Sequence, residues 1–133
     1  MTLLGGDRER LKDYIRALAD QMGLYDWALR LGDDPPNIEG AAASNYTVYG
    51  RQYATIRLDD EWFDYEPDEL RTYVVHELVH CHTAKMCWAF DNVKDVLGEG
   101  ALYRLANMAF TDAHEMTVDA IATAWAKSLP LPD

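Results

Sequence analysis

Cysteine is scarce in this chain of 133 residues, and the two it has, Cys81 and Cys87, stand six positions apart. Two thiols cannot form the multi-bridge framework of a small secreted domain, and no secretory signal opens the sequence, so a reducing, cytoplasmic setting is expected. Apolar runs of membrane-spanning length are also missing. Basic residues are few: 12 Lys and Arg against 23 Asp and Glu give a formal charge of −11. That balance argues against partners with a phosphate backbone or an anionic membrane surface, and it suits a bound cation. The length fits one domain, residues 1–133, large enough for a hydrophobic core without covalent staples.

What the chain does have is His76-Glu77-Leu78-Val79-His80. Residues four apart on an α-helix lie one turn above each other, so two imidazoles at this spacing can grip one metal ion. Glu77 falls on the same side, where its carboxylate can reach a water in the ion's open position. This is the HExxH zinc-site pattern. Around the same helix, Leu70, Val74, Leu78 and Cys81 cluster opposite the two histidines. One face packs and the other binds, which argues against a chance occurrence on an ordinary core helix. His82 lies on neither histidine's side and reads as structural. Cys87 shares the ligand face, but on a continuous helix it stands about 10 Å beyond His80, too far for the same ion. Both cysteines read as inert.

The remaining pattern predicts an α+β fold. Asp7 caps a helix whose Leu11, Tyr14, Ile15, Leu18 and Met22 form one buried stripe, ended by Gly23. Leu24–Leu31 alternates like a half-buried strand, and 42–49 and 53–58 read as two more, joined antiparallel by the turn 49–52. Glu66-Pro67-Asp68-Glu69 starts the motif helix, with proline and carboxylates where the first turn favours them. The expectation is an N-terminal helix, a small, mostly antiparallel three-stranded sheet, the active-site helix, and C-terminal helices that supply a third ligand.

A catalytic zinc site takes three protein ligands and a water, and HExxH supplies two. Position 86, where the metzincin pattern has its third histidine, is Met86. Downstream, a helix running from Thr111 through Trp125 carries His114 and, one turn apart, Glu115 and Asp119. Its many apolar residues predict burial, and a buried carboxylate needs a partner. Glu115 is favoured as third ligand because it shares a face with Asp119, whereas His114 points about 100° away. A set of three histidines is the alternative.

His76-Glu77-x-x-His80 followed by Glu115-x-x-x-Asp119 resembles the gluzincin arrangement of thermolysin-like and minimal zinc metallopeptidases. The whole chain is similar to the small metallopeptidases encoded by tailed bacteriophages, with His-Glu-Leu-x-His-Cys-His, then Glu-x-x-Val-Asp near a Leu-Pro-Leu-Pro end. The resemblance implies a zincin-like fold, Zn2+ held by His76, His80 and Glu115, and Asp119 orienting a zinc-bound histidine. It implies a peptide or protein substrate and, for a phage protein, work in the host cytoplasm. Thermolysin's large C-terminal subdomain has no counterpart here. Glu77 is then the general base, and Tyr103 and His114 are candidate oxyanion donors. A substrate strand is expected to add to an exposed edge, with 53–58 as the candidate. The alternative function is a metal-stabilised zincin-fold binding or phage assembly protein that cleaves nothing.

Overall fold

A computed structural model describes residues 2–133. Asp7 caps the first helix, α1 (Arg8–Gln21), by accepting the Glu9 backbone N–H at 2.9 Å. The stripe Leu11, Tyr14, Ile15, Leu18 and Met22 is buried as the spacing predicts. At the helix end Gly23 adopts φ +77, a left-handed conformation that costs glycine little, and the Leu24 N–H returns to the Ala19 carbonyl at 2.8 Å.

The strand expected over Leu24–Leu31 is shorter: β1 spans Ala28–Leu31. Leu24 to Trp27 form a turn instead, closed by the Trp27 N–H on the Leu24 carbonyl. The Arg16 guanidinium donates to both the Leu24 and Trp27 carbonyls at 2.8 and 2.6 Å, which holds that turn against α1. β2 (Ala43–Thr47) and β3 (Tyr53–Leu58) form the expected antiparallel hairpin, in which Ala43 faces Leu58 and Thr47 faces Ala54.

Two expectations about the sheet fail. Its strand order is β1-β3-β2 with β1 parallel to β3, so the sheet is mixed rather than mostly antiparallel. The long connection after β1 carries the chain past its neighbour's place, and the hairpin then returns β3 into the gap. Consequently Tyr53–Leu58 is the central strand and not an exposed edge. Ala54, Thr55 and Ile56 are all buried between the strands on either side, although exposed Tyr46 and Tyr53 leave the other face of the sheet open.

The motif helix α2 (Pro67–His82) starts with a capping box in which the Glu69 carboxylate accepts the Glu66 N–H at 3.1 Å. Leu70, Val74, Val75, Leu78 and Val79 are 0–1 % exposed, making α2 the centre of the core. His82 accounts for itself structurally: its Nε2 meets the Met22 carbonyl at 2.7 Å and its ring lies 5.3 Å from that of Trp125.

Two short helices, α3 (Ala84–Asp91) and α4 (Val93–Leu97), lead to α5 (Ala101–Ala126). This last helix starts well before Thr111, after Gly98 and Gly100, and it is not the buried helix expected. Only Val118, Ala122 and Ala126 along it are buried, while Met116 is 74 % exposed. Apolar residues surround the helix, but a single line of them is buried against α2, Phe90 of α3 covers Tyr103 and Phe110 only in part, and much of the rest faces solvent. The tail after α5 is tied down by the Tyr14 hydroxyl on the Pro130 carbonyl and the Arg71 guanidinium on the Leu129 carbonyl. Among the described residues no helix is long and apolar enough to cross a membrane.

Candidate metal centre

The packing of α5 against α2 brings Glu115 to the two histidines. Its carboxylate lies 3.5 Å from His76 Nε2 through Oε2 and 3.2 Å from His80 Nε2 through Oε1. Asp119, one turn on, reaches His76 from the other side, with Oδ1 3.6 Å from Nδ1. The Glu77 carboxylate and one nitrogen each of His76 and His80 all lie within 4.8 Å of one another. The spacing inferred from the sequence is therefore realised across two helices: two imidazoles and one carboxylate on one side, a second carboxylate behind one imidazole.

Donor chemistry and separations fit a metal ion. Donors 2.0–2.1 Å from a tetrahedral zinc stand about 3.3–3.4 Å apart, and the 3.2 Å contact of His80 with Oε1 and the 3.5 Å contact of His76 with Oε2, made through the two oxygens of one carboxylate, lie near that value. A charged imidazolium hydrogen-bonded to a carboxylate would close to about 2.7–2.9 Å instead. Burial holds His80 down to about 4, outweighing the upward pull of Glu115, so at neutral pH its ring is neutral, the form that coordinates a cation. Burial first, and the facing Glu115 second, push Glu77 up to about 8. A nearby positive charge would draw that carboxyl back to its ionised form at neutral pH.

Glu115 and Asp119 do not owe their place to burial. Their side chains are 52 and 71 % exposed, so the argument from a buried carboxylate needing a partner does not apply to them. The helical spacing alone put both on the right face.

His114 stands beside this group. Its Nε2 is 2.8 Å from the Thr83 hydroxyl, its ring is 5.3 Å from that of His80, and His80, His114 and Glu115 form a second set of donor atoms within 4.8 Å. Tyr103 is placed elsewhere. It stacks on Phe90 at 6.2 Å, and it lies 11 residues before His114, about 16 Å along α5. Phe90 and Phe110 continue that stack to His114.

Cys87 meets α5 rather than the pair His76 and His80. The helix breaks at Thr83, the chain turns, and Cys87 Sγ ends 3.5 Å from His114 Nε2. Burial raises both thiols, Cys81 to about 11, which keeps them protonated and unreactive.

Two residues that the sequence gave no reason to single out support the centre. Asn45 on β2 donates to the Glu77 backbone carbonyl at 2.7 Å, pinning the sheet to the middle of the motif. Thr83, itself buried, fixes the ring of His114. Neither belongs to a periodic pattern, and each meets its partner only through tertiary packing.

A cavity of about 450 Å³ opens over the centre, lined among others by Asn45, His76, Glu77, His80, Cys87 and Glu115. A second, of about 260 Å³, shares His76 and Glu77 with it and adds Tyr73 and Asp119. Ala43 of β2 borders both, so a groove follows that strand past the histidines. Compared with protein-family models, with curated proteins and with solved structures, the chain finds no match in any of the three.

Proposed function

We propose that the chain is a zinc-dependent metallopeptidase of the gluzincin type, with His76, His80 and Glu115 as ligands and Glu77 as general base. The observation that carries this reading is the Glu115 carboxylate set between the two histidine Nε2 atoms, with Glu77 alongside. Zinc, when bound, lowers the pKa of its water to about 7 and polarises a carbonyl oxygen. Glu77 accepts the proton of the attacking water and hands it to the leaving amine. Asp119, with Oδ1 3.6 Å from His76 Nδ1, would orient that ring so that Nε2 is free for a bound ion. His114, close to His80 and the cavity, is the donor better placed than Tyr103 to meet a developing oxyanion.

The groove suggests how a peptide would lie. Ladder bonds from Asp59 to Ala42 and from Val48 to Tyr53 fix which residues of β2 face β3. By alternation, Ala43, Asn45 and Thr47 turn their N–H and C=O groups to the free edge. These three also border the main cavity. An extended substrate pairs there, on β2 and not on Tyr53–Leu58.

A second reading rests on His114. If it joins His76, His80 and Glu115, four protein ligands close the site, and the ion is structural rather than catalytic. Metal analysis combined with a proteome-derived peptide library separates the readings. The catalytic one expects about one zinc per chain, loss of it in the His76→Ala/His80→Ala double variant and in Glu115→Ala, and cleavage that a chelator stops. Zinc without cleavage, lost also from His114→Ala, supports the closed site. Stoichiometric zinc in the double variant overturns both.

A further inference from the structure

From Lys85 to Thr117 no residue is fully buried, although this arm of α3, α4 and the first half of α5 is helical nearly throughout. At about 100° per residue, Leu102, Leu105, Ala109, Ala113 and Met116 fall on a stripe about 80° wide along α5, opposite the line of Val118 that packs on α2. The stripe faces solvent: Leu102 is 63 %, Leu105 66 % and Met116 74 % exposed, with Met108 beside them at 64 %. Four such side chains and the alanines between them expose on the order of 100 Å² each for the larger ones. That is about half of the roughly 800 Å² per partner that a standard interface buries, before any polar rim is counted.

We propose that this stripe is a dimer interface, covered by α5 of a second copy running antiparallel about Ala109. Two features favour a second copy. The first is shape. Crossing at Ala109 sets Leu102 against Met116 of the second copy and Leu105 against its Ala113, so large side chains meet small or flexible ones and the helices approach closely at their midpoint. The second is charge. The chain carries −11, which opposes self-association through much of its surface, and from Lys85 to Thr117 three basic residues stand against five acidic ones. Along the stripe itself Leu102, Leu105, Ala109, Ala113 and Met116 carry no charge, so two copies meeting there bring no like charges face to face. Asp112, the one charge bordering the stripe, falls opposite Ala106 in this register and meets no like charge.

Sedimentation equilibrium of the full chain, from low to high micromolar concentration, tests the proposal. The expected species has twice the 15.1 kDa monomer mass, and Ala109→Glu, which sets two carboxylates face to face at the crossing point, weakens association by about a hundredfold while leaving the far-UV circular dichroism unchanged. A second variant does not depend on destabilisation: Ala109→Cys should cross-link copy to copy with a short bismaleimide, while wild type, whose thiols are buried or half-buried, does not. A wild type that stays monomeric, a dimer indifferent to Ala109→Glu, or an Ala109→Cys that never cross-links would overturn it.

Discussion

The body of the molecule and its helical arm use similar residues to different ends. In the body, α1 and α2 bury nearly every large apolar side chain they carry, the sheet buries Ile56 and Leu58 against them, and Leu11, Leu18, Leu70 and Leu78 have no exposure at all. From Lys85 to Thr117 just over half of the residues are apolar, a share above the 49 % of the whole chain, yet none is buried. Composition is not what separates the two regions. An apolar stripe becomes core only where another element of the chain meets it, and the arm has too few elements to cover its own helices. The candidate metal centre lies at the seam, where α5 leaves the arm and first touches α2.

That contrast can be broken or sharpened by substitution. Leu78→Ala, at the middle of α2, removes a fully buried side chain and should cost about 2–5 kcal/mol in urea unfolding. A cost near zero would mean that α2 is not the core. At the seam, Asp119→Ala should leave the chain folded but weaken zinc about 10–100-fold in a competition titration with a chelator, since it removes an orienting partner and not a ligand. His114→Ala should keep its zinc in the same titration. Further out, Asp7→Ala deletes the cap of α1 and should cost about 1 kcal/mol by thermal or urea unfolding. The smallest effect belongs to the arm: Leu105→Ala, measured on the monomer at high dilution, should change unfolding free energy by no more than about 0.5 kcal/mol. A loss as large as that of Leu78→Ala would erase the distinction between the regions.

The same contrast explains what could be read from the sequence. α1 and α2 were legible because cap, stripe and stop agree, and one face of each meets the core. The hairpin was legible from its turn. The parallel pairing of β1 was not, because the alternation of Leu29 and Leu31 says which face is buried and nothing about which strand lies alongside. The periodicity of α5 misled about burial for the reason just given: apolar residues on every side of a helix suggest an interior that this chain does not have around it. In the centre, His76, Glu77 and His80 come together through the geometry of one helix, and Glu115 joins them through the packing of α5 on α2. Asn45 and Thr83 were silent because single hydrogen bonds between distant elements have no period.

The claim that Glu77 works as a base beside a zinc held by its neighbours is met most directly by measuring bound zinc and peptide cleavage together in wild type and Glu77→Gln. The amide keeps the shape of the side chain but cannot take the proton of the attacking water. The account predicts equal zinc in the two proteins, cleavage of a peptide pool by wild type, and none by Glu77→Gln. Undiminished cleavage by the zinc-loaded variant would contradict it.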